Sequence, residues 1–405
     1  MVDNTNTPAD VECKKGSCSS GAPGYTNLAN GTSCAAVATC NAGSCTYTPS
    51  GSPIAAGSRY TCAITSAGGV KCWGLNAYGQ LGDGTTTTRP LPTPVQNLSS
   101  GVVAIATDLY SQPSTCALKS NGAVLCWGRN NYGQVGDGTT TDRYTPTEVQ
   151  GLSTGVVAIS MGTMNRCALK YDGTVLCWGY GMIGDNTNQI RYVPTQAHSP
   201  EPMVSVGAGS QFACGVSTAG ALFCWGGYNR PLALPEITNF ESVLVPTPSP
   251  FATSGLKAVD AGGPACALTT SGGVRCWGYN NNGELGNGSS VEFSYSPVNV
   301  TGLSAGVSSI SVGGNHSCAI TSTGAVQCWG FGTYGELGHN AWQGSNVPVQ
   351  VQGLTSGYVA VSAGDLHSCA YSSSKTVRCW GHNSSGELGD NSKANWNTPV
   401  AVLNF

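Results

Sequence analysis

Apolar residues in this chain fall in short runs with strand periodicity, and no stretch keeps helical spacing. One unit shows the pattern. Ala104-Ile105-Ala106 is followed by Cys116-Ala117-Leu118, then Ser120-Asn121-Gly122, then Val124-Leu125-Cys126-Trp127. This reads as strand, strand, three-residue turn, strand. A fourth run surrounds Pro94-Val95, Pro297-Val298, Pro348-Val349 and Pro399-Val400. Proline cannot donate to a ladder, so that run predicts an outer strand. The tripeptide Cys-Trp-Gly marks seven such units, at Trp73, Trp127, Trp178, Trp225, Trp277, Trp329 and Trp380. Seven units of four short strands predict an all-β, seven-bladed β-propeller. The expected blades are 54–101, 102–155, 156–202, 203–256, 257–306, 307–357 and 358–405, within a propeller domain at 51–405.

The cysteines sharpen this picture. Each Cys-Trp-Gly cysteine has a partner ten positions earlier, as Cys62/Cys72, Cys116/Cys126, Cys167/Cys177, Cys214/Cys224, Cys266/Cys276, Cys318/Cys328 and Cys369/Cys379. The turn triplets between them end in Gly68, Gly122, Gly173, Gly220, Gly272 and Gly324, which suits a three-residue hairpin loop. The seventh, Ser373-Ser374-Lys375, lacks the glycine and should be strained or turned differently. Counting outward from the loop puts the cysteines opposite each other at a non-hydrogen-bonded pair, at a Cα separation a disulfide accepts. One cross-strand disulfide per blade is expected, with reduced, buried thiols as the alternative. Ten-residue hairpin pairs do not gather the four ligands of a zinc site. Disulfides imply an oxidising compartment, so an extracellular or cell-surface protein is expected.

Composition narrows the function. Only 9% of the 405 residues are charged, the net charge is −3, and no basic patch offers itself to a nucleic-acid backbone. No apolar run is long enough to span a membrane. Met1 to Asp10 has neither a charged n-region nor an apolar h-region, so it is not a signal peptide. The chain therefore reads as mature or trimmed.

The stretches from Cys62 to Gly84 and from Cys116 to Gly138 share Cys-Ala-Leu/Ile … Gly-x-Val-x-Cys-Trp-Gly-x-Asn-x-x-Gly-Gln-Leu/Val-Gly-Asp-Gly, allowing for small departures in each copy. This pattern resembles the RCC1 repeat (regulator of chromosome condensation), over Ile54 to Phe405. The resemblance implies a seven-bladed propeller, and looks most like a bacterial secreted or surface branch with a disulfide in each blade. Eukaryotic members include a nucleotide-exchange factor for a small GTPase, but nothing in this chain identifies an exchange wedge. The Gly-x-Leu-Gly loop recurs from Gly79 to Gly389, and is expected to shape a tight blade turn rather than cradle phosphate, since no helix follows it. Blade four lacks the loop, running Gly227-Tyr228-Asn229-Arg230-Pro231-Leu232-Ala233-Leu234-Pro235, and blade three is shortened after Trp178. A function confined to one place needs such breaks in symmetry; drift in a tolerant loop explains them equally well.

Chemistry is sparse. His316 and His367 occupy equivalent positions before Cys318 and Cys369, and are expected to bond a neighbouring blade, two ligands being too few for a metal site. Asp83, Asp137, Asp185 and Asp390 recur in the Gly-Asp turn and read as turn caps. No nucleophile motif, cofactor motif or metal site is present, so no enzyme is expected. Sequons at Asn30, Asn97, Asn287, Asn299, Asn315 and Asn383 are candidate glycan carriers. Residues 1–50 form a Cys-rich, mostly irregular N-terminal arm with Cys13, Cys18, Cys34, Cys40 and Cys45, whose pairing is open. A spare arm on a complete propeller suggests a self-assembling protomer of a surface or secreted fibre. The alternative is a secreted monomeric binding propeller for a protein or glycan, with Tyr78, Tyr132, Tyr279 and Tyr334 as candidate contacts; an enzyme ranks last.

Overall fold

The computed structural model describes residues 49, 51–110, 112–227, 231–235 and 242–405, and the backbone of short strands before them. Those early strands are Lys14–Ser19 paired with Ala22–Asn27, and Ser33–Ala35, Ala38–Asn41 and Ser44–Thr46 in a three-stranded sheet. The side chains of Cys13, Cys18, Cys34, Cys40 and Cys45, and the Asn30 sequon, lie outside the described residues.

From Ile54 onward the chain makes seven four-stranded antiparallel sheets, each of four consecutive strands. The fold is an all-β, seven-bladed propeller. Blade two is representative, with an inner strand Val102–Thr107, then Ser114–Lys119, Val124–Gly128 and an outer strand Arg143–Glu148. Every outer strand carries proline, for example Pro146, Pro297 and Pro399, at the edge where a missing N–H costs least.

The hairpin between the second and third strands is the rigid unit. In blade one, Thr65 and Gly69 close the loop through Thr65 N to Gly69 O at 2.8 Å, and Gly68 sits at φ 78°. Three residues further out, Cys62 faces Cys72. Each of the seven hairpins carries its own disulfide. In blades one to four these are Cys62–Cys72, Cys116–Cys126, Cys167–Cys177 and Cys214–Cys224. In blades five to seven they are Cys266–Cys276, Cys318–Cys328 and Cys369–Cys379. Their Cα separations are 4.0 to 4.2 Å, so the sulfurs are bonded rather than left as facing thiols. In blade seven, Lys375 takes the glycine's place at φ 64° and still closes the same turn, Lys375 N to Ser372 O at 2.9 Å. The turn geometry therefore holds without glycine, at the backbone strain a left-handed lysine carries.

The core is divided into pads between neighbouring blades rather than pooled at one centre. One pad joins Cys116, Leu118 and Cys126 of blade two to Met161, Ala168 and Trp178 of blade three. Two rings of hydrogen bonds reinforce these pads. In the outer ring a buried tryptophan indole donates to the carbonyl of the second residue in the preceding blade's Gly-x-Leu-Gly loop. Examples are Trp127 Nε1 to Gln80 O at 2.9 Å, Trp178 Nε1 to Gln134 O at 2.9 Å and Trp329 Nε1 to Glu284 O at 2.8 Å. The second glycine of that loop is demanded by this approach, because a Cβ on Gly82 would lie 2.7 Å from Trp127 Nε1. The inner ring is partial: in blades three, six and seven a serine beside the channel accepts a backbone N–H from the next blade, as Ser160 Oγ from Ala208 N at 2.9 Å and Ser311 Oγ from Ala363 N at 3.0 Å, whereas blades one and two place Ala55 and Ala106 in that register.

Blade seven meets blade one through the same devices, without strand exchange. Trp73 Nε1 donates to Glu387 O at 2.8 Å, and Ala56 N donates to Ser362 Oγ at 2.9 Å. The outer ring breaks between blades three and four: among the described residues Trp225 Nε1 has no partner. At blade four Pro231 O replaces the loop carbonyl and still accepts Trp277 Nε1 at 2.8 Å.

Candidate functional site on the loop face

Two faces of the propeller differ in construction. One presents the seven hairpin turns. The other, the loop face, presents the connections from inner to second strand and from third to outer strand.

Each long loop is pinned from within. Asn76 Oδ1 accepts Leu81 N at 3.0 Å, while its Nδ2 donates to Thr85 O and Thr87 O at 3.0 and 3.1 Å. Asp83 accepts Thr85 N and Oγ1 and pairs with Arg89 at 2.9 Å; Asp137–Arg143 and Asp185–Arg191 repeat the arrangement. Burial pushes the Asp83 carboxyl up, but bonds from Thr85 and Arg89 outweigh it and hold it below the usual range. Asp390 accepts Ser392 N at 2.9 Å. These aspartates are turn supports, and the Gly-x-Leu-Gly loop is a seam.

The sequons scatter. Asn97 and Asn299 are exposed, and Asn287 and Asn315 are half-buried. Asn383 is not available in the folded chain: it is fully buried, and its Nδ2 donates to Asp390 Oδ1 and Ser392 Oγ, each at 3.1 Å. It is the counterpart of Asn76, a loop pin that happens to precede Ser-Ser.

The loop face carries the asymmetry. The second residue of the Gly-x-Leu-Gly loop is Gln80 and Gln134 in blades one and two, and Glu284, Glu336 and Glu387 in blades five to seven. Each folds back onto the amide two residues earlier, as Gln134 Oε1 from Tyr132 N at 2.7 Å and Glu336 Oε2 from Tyr334 N at 2.9 Å. Among the described residues Glu336 Oε1 has no partner, and burial pushes its carboxyl up to about 7. Nearby, Glu387 Oε1 lies 2.6 Å from His382 Nδ1. Asp365 is likewise raised by burial, to about 6, against the opposing charge of Arg59.

In blades one to three sits a buried polar knot. Tyr60 OH donates to Asp108 Oδ1 at 3.1 Å, and Arg166, fully buried, donates to Ser114 Oγ and to Gly162 O. Burial raises Asp108 to about 6 and lowers Arg166 to about 10, each opposed by the other's charge. Sequence reasoning missed Arg166. Its signal was legible: the residue before each first cysteine is Thr61, Thr115, Arg166, Ala213, Ala265, Ser317 and Ser368, and only one is charged.

Aromatic rings recur on the loop face. Tyr132 packs on Tyr180 with centroids 5.2 Å apart, Arg129 lies 4.5 Å over the Tyr78 ring, and Tyr334 meets His382 edge-on at 5.3 Å. Tyr279 meets Phe293 edge-on at 5.2 Å and lines a recess of about 230 Å³ with Tyr110, Phe212 and Glu284. Tyr110 OH reaches Gly314 O at 3.1 Å across the mouth. Tyr180 and Tyr334 stay 38% exposed. His316 and His367 are not free ligands: their Nε2 atoms contact Ser368 Oγ at 2.7 Å and Thr61 Oγ1 at 2.8 Å in the next blade. Among the described residues no group of three or more His, Cys, Asp or Glu is placed to hold a metal ion.

The repeat profile "Regulator of chromosome condensation (RCC1) repeat" matches residues 121–169, 271–320 and 323–371, and a second RCC1 profile matches 54–80, 307–336 and 358–387. Over those stretches the molecule is similar to RCC1-repeat propellers. The repeat at 121–169 starts in the hairpin turn of one blade and ends in the second strand of the next, so it spans the seam that the tryptophan closes. The ultraviolet-B receptor UVR8 of Arabidopsis thaliana is 28% identical over 86% of this chain and 81% of that protein. RUG3 of the same plant, described as an RCC1 domain-containing mitochondrial protein, is 26% identical over 82% of each. Yeast Prp20, solved bound to Kap60, superposes with a TM-score of 0.72 at 20% identity, covering 83% of this chain and 84% of that one.

These matches overturn several expectations. The RCC1-like relatives are eukaryotic, not a bacterial secreted or surface branch. The secreted fibre, the filament and the extracellular or cell-surface location fall with that branch, one relative being mitochondrial by description. The disulfides themselves stand, and only the compartment inferred from them is withdrawn. The physical source of the error is plain. The cysteine spacing follows from hairpin register, which fixes where two sulfurs lie and carries no address.

Proposed function

We propose that this chain is a non-catalytic protein-interaction scaffold whose working surface is the loop face. One observation carries the reading. The hairpin face repeats one turn seven times, whereas the loop face breaks its repeat in blades three and four, leaves Tyr180 and Tyr334 exposed and lays Arg129 over the Tyr78 ring. Symmetric surfaces present seven equivalent sites, and a single protein partner needs a unique one. Tyrosine and arginine are also the residues that most often anchor interfaces. The fold-level likeness to Prp20, solved in complex with Kap60, is consistent with a propeller used in this way.

The test is quantitative affinity capture with three forms of the full chain. One is wild type, one carries Tyr180→Ala, Tyr334→Ala and Arg129→Glu, and one carries Thr323→Glu on a hairpin turn. Proteins retained by wild type and Thr323→Glu but lost by the triple variant support the reading. Identical retention by all three overturns it. A second copy of this chain among the retained proteins would identify the partner as self.

A further inference from the structure

We propose that the central channel binds a small organic cation, through an ammonium or guanidinium group held at Asp260. The site is separate from the loop face. The channel encloses about 600 Å³, inside the range of small-ligand cavities. Its wall is built from the seven inner strands and presents mainly methyl groups and serine hydroxyls.

Asp260 departs from the repeat. It lies opposite Cys266 on the inner strand Leu256–Ala261, in the register that Ser160, Ser311 and Ser362 hold opposite Cys167, Cys318 and Cys369. Those serines have a structural duty, to accept an N–H from the next blade. Asp260 Oδ2 performs it too, from Val312 N at 2.8 Å, while Oδ1 accepts Ala261 N at 3.0 Å. Serine would suffice for the seam. The carboxylate adds a charge, and two amides fill only about half of its roughly four acceptor sites.

Among the described residues no other lining side chain is ionisable. The strands packed against it, Met203–Ala208, Ala265–Thr269 and Val307–Val312, carry no titratable side chain, and Lys257 on its own strand is exposed. Burial raises its pKa to about 6, against the two backbone bonds, so the group is mostly ionised at neutral pH. A recessed carboxylate without a counter-charge is a standing invitation to a cation. Ile159 and Ile310 offer an apolar wall for an alkyl stem. Tyr110 spans the mouth on the loop face, whereas Val359, 55% exposed, lines the other end, so entry is from the hairpin face.

The probe is agmatine, titrated calorimetrically into the full chain at about pH 7.5 and again at about pH 5, where it stays protonated while Asp260 does not stay ionised. Asp260→Ser is the matched variant, since blades three, six and seven show that serine keeps the seam; Asp260→Asn keeps the shape. Saturable binding by wild type, weakened about tenfold or more by either variant and by the lower pH, supports the site. Equal binding by wild type and variants overturns it, as does the absence of saturable binding to wild type at millimolar agmatine.

Discussion

At the scale of single residues, the tryptophan of each Cys-Trp-Gly does two jobs that the sequence shows as one. It fills the pad between blades, and its indole N–H ties its blade to the one before. Trp225 does only the first. Trp127→Phe should therefore cost roughly 1 kcal/mol more than Trp225→Phe in urea unfolding, because it also removes the bond to the Gln80 carbonyl. Equal costs would remove the outer ring from the account. The histidines give a second test. Burial lowers His316 to about 4 and His367 to about 3, from an ordinary 6.5, so the fold holds both neutral. Their contribution is whole above pH 6.5 and is lost as pH falls towards those lowered values. His316→Gln with His367→Gln should flatten the fall of melting temperature over that window; an unchanged slope contradicts it. At this scale the sequence was legible wherever a residue repeats. The Gly-Asp turn aspartates and the Gly-x-Leu-Gly loop read correctly as structure. Asn383 did not, because a sequon and a buried loop pin look alike until Nδ2 is placed.

At the scale of elements, the hairpin is the legible unit. Its turn, its cysteine register and its proline-marked outer strand depend on contacts within a few residues, and local spacing encodes them. The seams between blades were not legible. They join residues about fifty positions apart, and the Trp127–Gln80 bond leaves no periodic mark beyond the loop glycine. Blade four shows what weak seams cost. Trp225 lacks its bond, and Gly207 occupies the channel-side register where Ser160 and Ser311 clasp the next blade. A displaced clasp remains, with Ser205 Oγ accepting Val259 N at 3.1 Å. The blade-four strands Met203–Ala208 and Leu222–Gly226 should thus exchange amide hydrogens sooner than the matching strands of blade six, Val307–Val312 and Val326–Gly330. Slower or equal exchange in blade four would show that its apolar pad compensates fully.

At the scale of the whole molecule, seven stapled hairpins make a rigid ring, and individuality is confined to what the ring does not require. Blade number and strand order followed from counting repeats. Compartment did not, because a disulfide within one hairpin reports geometry only. Function was legible only in outline: Arg166 and the glutamine-to-glutamate change stand in the sequence once the repeats are aligned, whereas the exposure of Tyr180 and Tyr334 and the stacking of Arg129 on Tyr78 emerge only in the folded chain. The most direct trial of the loop face as the working surface is site-specific photo-crosslinking within one blade. A photoreactive side chain is placed at Tyr334 on the loop face in one protein, and at Thr323 on the hairpin turn in another. The account predicts discrete protein adducts from position 334 and none from position 323. Adducts from 323 alone, or the same adducts from both, would contradict it.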